Sequence, residues 1–288
     1  MGAQEYEDQT SKSAYSLDMP ELPEVETIKN QLNEIMPIKV LECTQSKVIS
    51  GIAHTPIELS GRKIIAVHRK GKLLYFELDK NEFLLSHLGM TGGWRIGKEK
   101  PTDPNGVKHN HLCIKHKGGY LSYVDPRRFG HMYQLDKLQT QEKLDELGVD
   151  LKDKAYTPEY LSTTIKKYPN RQIKVHLLDQ KLYAGTGNYI VNEICARAGV
   201  RPTRRNKSLT KDEIIKMHKA TAVVIDGATQ TGGTTFQGGY ADTTGSKGNG
   251  VGHLVVFYQK ICQLCHETPV KKLYLAQRGT YYCPKCQK

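Results

Sequence analysis

Residues 63–78 read KIIAVHRKGKLLYFEL, two β-prone runs, Lys63–Arg69 and Leu73–Leu78, joined through Lys70-Gly71-Lys72. β-branched and aromatic residues on both sides of a glycine predict paired strands with a turn between them. Further short runs follow the same pattern at Lys39–Ser50, Phe83–His87, His111–Lys115, Tyr120–Val124 and His131–Gln134, punctuated by Gly, Pro and Asn. The stretch from about 38 to 134 is therefore expected to form a sandwich or barrel. Ahead of it, Pro23, Glu24 and Glu26 with the stripe Val25, Ile28, Leu32 and Ile35 predict a helix that Pro37 ends.

Beyond about 137 the apolar period turns helical. Thr210 and Glu213 make a capping box ahead of Ile214, Met217, Ala220 and Val224. Gly232–Gly252 holds eight glycines among Thr and Ser and is expected to be a long mobile loop. From Leu254 the chain regains β character. The expected organisation is a disordered extension or non-native start at 1–19, a β domain at 20–150, a helical domain at 151–253 and a small metal module at 254–288.

The chain has 288 residues, a net charge of +12 and 38% hydrophobic residues, the profile of a globular protein with room for one or two cores. Its longest strongly apolar stretch, Leu254–Tyr258, is far too short to span a membrane. Nothing at the N-terminus marks secretion, so an intracellular protein is expected. Residues 1–18 are acidic, with Glu5, Glu7, Asp8 and Asp18 against Lys12 alone, which leaves the rest of the chain at +15. A body so basic points to nucleic acid.

Four of the seven cysteines form Cys262-x2-Cys265-x17-Cys283-x2-Cys286. Two such knuckles can surround one tetrahedral ion, and four thiolates leave no open position for water, so a structural Zn2+ is expected. His266 stands next to a knuckle as a bystander. Between the pairs, Gln277-Arg278-Gly279-Thr280 puts an Arg on a turn where its planar fork could hold a phosphate. Met19-Pro20-Glu21 has a chemical reading too: removal of an initiator Met19 would leave Pro20 with a free secondary amine of pKa about 8, a nucleophile at neutral pH. Glu21 beside it could move protons.

Six motifs in order, MPELPE from Met19, HLGMTG from His87, DPRRFG from Asp125, GTGN from Gly185, GGTT from Gly232 and QRGT with the cysteine pairs, resemble formamidopyrimidine-DNA glycosylase of the bacterial type. The resemblance covers Met19–Lys288. It implies an α+β fold: an N-terminal β-sandwich domain, then a helical helix-two-turn-helix domain with a zinc-finger β-hairpin. The function it implies is base excision repair, removing oxidised purines such as 8-oxoguanine and formamidopyrimidines from duplex DNA through a Schiff base, then β,δ-elimination at the abasic site.

The resemblance makes Pro20 the Schiff-base nucleophile and Glu21 the general acid/base, with Glu24 a second glutamate nearby. Lys72 becomes the proton donor for β-elimination and Arg278 the donor for δ-elimination. His87, His109, Asn188 and Arg278 would hold phosphates. Met90, Arg127 and Phe129 would fill the gap left by an everted nucleotide, an exchange of stacking for stacking. Lys174 would lie near the lesion, and Thr234–Gly252 would close over an extruded base. The expected partner is double-stranded DNA with oxidised bases or abasic sites, bound by a monomer and no membrane.

Two other readings remain open: an endonuclease VIII-like glycosylase for oxidised pyrimidines, and a zinc-bearing DNA-binding protein without catalysis. The second follows from the chain as written, because in a chain starting at Met1 the Pro20 nitrogen is an amide whose lone pair is delocalised. The x17 spacing is one residue longer than the family's usual x16. The segment before Cys262 is short and lacks the usual Gly and Pro.

Overall fold

The computed structural model describes residues 19–101, 108–236 and 239–288; the expected extension lies, apart from Met19, outside the described residues. After α1 (Leu22–Asn33) come two antiparallel sheets packed face to face. One runs in the order β1 (Ile38–Lys39), β3 (Lys63–Lys70), β4 (Leu73–Leu78), β5 (Glu82–His87), β9 (His131–Asp136). The other runs β2 (Glu42–Gln45), β7 (Asn110–His116), β8 (Gly119–Val124), β6 (Gly93–Gly97). The β3–β4 hairpin pairs Lys70 with Leu73 and Val67 with Phe76, and the alternation in β4 sends Leu74, Phe76 and Leu78 inward.

Aromatic rings fill the space between the sheets. Trp94 lies 4.8 Å from Phe76 and 5.3 Å from Tyr123, ring centre to ring centre, and its indole N–H donates to buried Ser86 at 3.1 Å. Each such side chain contributes about 2–3 kcal/mol on leaving water.

Two strand expectations need correction. β6 escapes the sequence reading because glycines at both ends leave only three residues to show an alternation. The expected strand Lys39–Ser50 breaks into β1, β2 and a single 3-10 turn at Ile49–Gly51. Ile35 lies just beyond α1 and is only half-buried, so the apolar stripe ends at Leu32.

The second half is helical: α2 (Lys137–Asp145), α3 (Pro158–Lys167), α4 (Ile173–Leu177), α5 (Asn188–Arg197) and α6 (Lys211–Gln230), with a two-residue parallel pairing of β10 (Val149–Asp150) and β11 (Tyr183–Ala184). The capping box forms: Glu213 N–H donates to Thr210 Oγ1 at 3.2 Å and Thr210 N–H to the Glu213 carboxylate at 2.8 Å. α6 buries Ile214, Met217, Ala220 and Val224 against α3 and α5. No helix among the described residues is long and apolar enough to cross a membrane.

The last segment is a hairpin of β12 (Lys271–Leu275) and β13 (Arg278–Tyr282), turned by Ala276 and Gln277 at φ 48° and 59°. Two left-handed residues match the twist of a tight hairpin. The β character expected from Leu254 begins only at Lys271, because the buried Glu193 carboxylate takes the N–H groups of Val255, Val256 and Phe257 at 2.7–2.9 Å. Those donors are lost to any strand ladder. The chain then turns at Tyr258, in the left-handed region at φ 56°.

The glycine-rich loop is also more fastened than its composition suggests. Thr243 N–H donates to Gln31 Oε1 at 3.0 Å, Ile96 N–H to the Thr243 carbonyl at 2.9 Å, and Gln31 Nε2 to Asp242 at 2.8 Å. Tyr240 sinks into the sandwich core, while Leu22 of α1 is buried in the helical core, so each half lends the other a side chain.

A buried ion network ties the halves further. Arg69, its side chain 5% exposed, donates to Glu26 at 2.7 Å, to Asp150 at 2.6 Å and to the Gly71 carbonyl at 2.9 Å. Arg69→Met strands two carboxylates among low-dielectric surroundings and is expected to cost about 3 kcal/mol or more, read as a lower urea midpoint. A shift within about 0.5 kcal/mol would show the network to be dispensable.

Candidate active site

The sequence turns sharply at Gly185-Thr186-Gly187 before entering α5, and Glu21 fills the space over that turn. Its carboxylate accepts Tyr189 N–H at 3.0 Å and Ile190 N–H at 3.2 Å, the otherwise unpaired donors of the α5 N-terminus. Gly187 is required by this approach, since a Cβ there would fall 1.9 Å from Glu21 Cδ. Gly185, at φ +104°, likewise leaves room for Leu22. Gln180 holds the turn, donating to the Thr186 carbonyl at 2.8 Å and accepting from Gly185 N–H at 3.1 Å. Pro20 is buried immediately before Glu21.

Glu24 lies one turn into α1 and accepts from Glu21 N–H at 2.9 Å, Tyr189 O–H at 3.0 Å and Thr234 N–H at 2.6 Å. Burial raises its pKa, and these donors only partly oppose the rise. Lys72 sits in the β3–β4 turn, where Gly71 N–H donates to Asp150 at 2.6 Å and a Cβ on Gly71 would touch Ala184. Burial lowers the Lys72 pKa; the Glu21 carboxylate works against that shift and the Arg278 guanidinium adds to it. Lys72, Glu21 and Arg278 therefore share one electrostatic neighbourhood, to which Pro20 is joined through its peptide link to Glu21.

A second group of expected residues sits on two loops of the sandwich. Buried Asp125 organises them, accepting Gly130 N–H at 2.8 Å, Arg127 N–H at 3.3 Å and the Thr91 hydroxyl at 2.5 Å. Arg127 and Phe129 both stand exposed, the guanidinium carbon 4.5 Å from the ring centre. Met90 is half-buried on the facing loop. His87 takes Gly89 N–H on Nδ1 at 3.2 Å, which leaves its ring hydrogen on Nε2. Burial, then Lys72 and His131, push the His87 pKa down to about 4, so it is a neutral donor at pH 7. The His109 carbonyl accepts Asp125 N–H at 3.0 Å, which brings His109 beside the same loop.

The third group docks the C-terminal hairpin. Lys174 is fully buried and donates to the Gly279 carbonyl at 2.9 Å and Thr280 Oγ1 at 2.7 Å. Asn188 Nδ2 donates to the same carbonyl at 3.1 Å, and Asn192 Oδ1 accepts Tyr281 N–H at 2.7 Å. Lys174 and Asn188 thus face the hairpin backbone, while Arg278 itself is exposed.

The sulfurs of Cys262, Cys265, Cys283 and Cys286 all lie within 4.8 Å of one another, with Cys262–Cys286 at 4.0 Å and Cys265–Cys283 at 3.9 Å. Thiolates bound at 2.3 Å to a tetrahedral ion sit about 3.8 Å apart, so the set fits one metal. Leu264 N–H and Cys286 N–H donate to the Cys262 and Cys283 sulfurs at 3.4 Å, which steadies thiolate charge. His266 is not part of the cluster among the described residues.

Sequence reasoning missed Tyr189, Asp125, Asn192 and Asp150 as supports. Asp125 was in plain view as the head of DPRRFG; the others carry no local signal, because each acts on residues distant along the chain.

The N-terminal domain model of formamidopyrimidine-DNA glycosylase matches residues 19–132, and the H2TH domain model of that enzyme matches residues 147–238. The formamidopyrimidine-DNA glycosylase of Listeria monocytogenes serovar 1/2a is 37% identical, over 94% of this chain and all of its own. A solved structure of MutM in complex with carbocyclic 8-oxo-G containing DNA has a TM-score of 0.83 at 29% identity, covering 93% of this chain and 100% of its own. A Lactococcus lactis Fpg mutant in complex with Fapy-dG containing DNA gives a TM-score of 0.82 at 29% identity over the same shares.

Two substitutions test the geometry. Gly187→Ala should drive the Glu21 carboxylate off the α5 N-terminus and lower stability by about 2 kcal/mol; an unchanged urea midpoint would contradict the contact. Cys283→Ser should abolish stoichiometric metal, measured by elemental analysis of the purified protein, and expose the β12–β13 hairpin to protease.

Proposed function

The chain belongs to the formamidopyrimidine-DNA glycosylase family, and we propose that it is a base excision repair glycosylase that removes oxidised purines from duplex DNA, acting as a monomer. The relatives solved in complex with carbocyclic 8-oxo-G containing DNA and with Fapy-dG containing DNA support that substrate class. The observation that carries the reading is the seat of Glu21, a buried carboxylate on a helix N-terminus directly beside Pro20 and near the charge of Lys72.

The finer proposal is a bifunctional reaction in a form whose first residue is Pro20. The secondary amine of Pro20 attacks C1′ of the damaged nucleotide, and the base leaves with the electrons of the glycosidic bond and takes up a proton from solvent. The nitrogen gives its own hydrogen to the Glu21 carboxylate, and opening of the sugar ring then gives an iminium in which nitrogen keeps its two ring carbons, gains a double bond to C1′ and carries a positive charge. Glu21, held by two backbone donors, passes the proton it received to the departing ring oxygen and later accepts one from carbon. The iminium draws the C2′ electrons toward nitrogen, so the 3′ phosphate departs by β-elimination and the 5′ phosphate by δ-elimination.

Burial lowers the Lys72 pKa, which makes its ammonium a readier proton donor and suits it to β-elimination; Arg278 serves the second elimination and its phosphate. His87, His109 and Asn188 hold the backbone, with Lys174 close to the lesion, while Met90, Arg127 and Phe129 occupy the vacated stack. The ion at the four cysteines is Zn2+, and its work is to hold the hairpin that bears Arg278.

Borohydride trapping on an 8-oxoguanine duplex tests this. A preparation whose intact mass begins at Pro20 should form a covalent adduct; one retaining Met19 or more should bind without one. Pro20→Gly, expressed from Met19, should slow trapping sharply while keeping most of the affinity, and Glu21→Gln should slow base release about a hundredfold or more. No adduct from the Pro20-initiated protein would overturn the lyase chemistry.

A further inference from the structure

Next to the expected DNA face lies a histidine pair that none of this chemistry uses. His131 opens β9 directly opposite His87 of β5, one residue after the Arg127–Gly130 loop. His54 follows the 3-10 turn at Ile49–Gly51, and its N–H donates to the Met132 carbonyl at 2.9 Å, which fastens that turn to β9. His54 Nε2 and His131 Nδ1 are 2.8 Å apart. Arg128 of the intervening loop lies against Gly51, so the pair and the loop form one continuous surface.

The bond fixes what the pair can present. While both rings are neutral, one hydrogen is shared between them and a single hydrogen remains for the two other nitrogens, His54 Nδ1 and His131 Nε2. With one proton added, the shared hydrogen bond persists and both of those nitrogens become donors, carrying a positive charge. That is a two-pronged donor for an anion.

The groups facing the pair do not supply that anion. His54 stacks on Tyr133 at 4.7 Å, whose ring lies 5.7 Å from the Lys143 ammonium. His87 approaches from β5, with its ring centre 6.3 Å from that of His131, and Lys72 stands behind His87. Asp125 acts on His131 only at a distance, and the one histidine–carboxylate pair among the described residues is elsewhere, His68 with Glu77. Burial and His54 accordingly lower the His131 pKa in the free protein, against the weaker pull of Asp125.

We propose that His54 and His131 form a further DNA-backbone contact, which takes up one proton from solvent as it receives a phosphodiester and so couples duplex affinity to pH. The proposal rests on the DNA-repair reading above.

The test is fluorescence anisotropy of a labelled duplex bearing a tetrahydrofuran abasic analogue, from pH 6 to pH 8, for the wild-type chain and for His54→Gln and His131→Gln. Linkage of one proton allows affinity to fall by up to about tenfold per pH unit as pH rises. Both variants should lose that part of the slope, matching wild type at pH 8 and binding several-fold more weakly at pH 6. Losing one phosphate contact should also reduce the slope of log Kd against log salt by about 0.9 at pH 6 and leave it unchanged at pH 8. Parallel pH lines in the three proteins would overturn the pair as a contact. Failure of the wild-type chain to hold the duplex at any pH would instead overturn the DNA reading, and the pair with it.

Discussion

The structure depends on one carboxylate seated on one helix. Glu21 reaches across from the start of α1 to the first free N–H groups of α5, and everything around it is arranged to let it arrive. Gly187 gives up its side chain, Gly185 takes a left-handed turn, and Gln180 pins the backbone between them. Glu24 and Tyr189 close the opposite flank. Two amides and the helix dipole satisfy carboxyl oxygens that burial would otherwise leave without partners. The same bonds join the first residues of the sandwich domain to the heart of the helical one.

The hairpin that bears Arg278 is positioned by a second arrangement of this kind. Three polar side chains from the helices, Lys174, Asn188 and Asn192, meet three successive residues, Gly279, Thr280 and Tyr281, with the four cysteines holding the base of the hairpin. A buried ammonium with two oxygen partners is satisfied where a bare one would be costly. Such a hairpin is located by its backbone, which leaves the Arg278 side chain free to extend.

Much of this was legible in the chain. The sandwich shows as period-2 runs, the long helix as a capping box with an apolar stripe, and the metal set as cysteine spacing, because each is a local pattern written within about twenty residues. What was hidden is long-range. Val255 to Phe257 have strand propensity, yet a glutamate some sixty positions earlier takes their donors. The glycine-rich loop looks free by composition, but Gln31 and Ile96 fasten it. Glu21 was legible as an acid/base beside Pro20, and Glu24 by its own residues as a first-turn acid, but their seats on Tyr189, Ile190 and Thr234 lie far along the chain and left no local mark.

The exchange of Leu22 and Tyr240 between cores bears on the order in which the protein can be made. A ribosome releases the sandwich strands long before residue 240, so during synthesis that core waits with a vacancy that only the later half can fill. Neither half is then a finished folding unit. Protection of their slowest-exchanging amides should rise and collapse together, as one cooperative body.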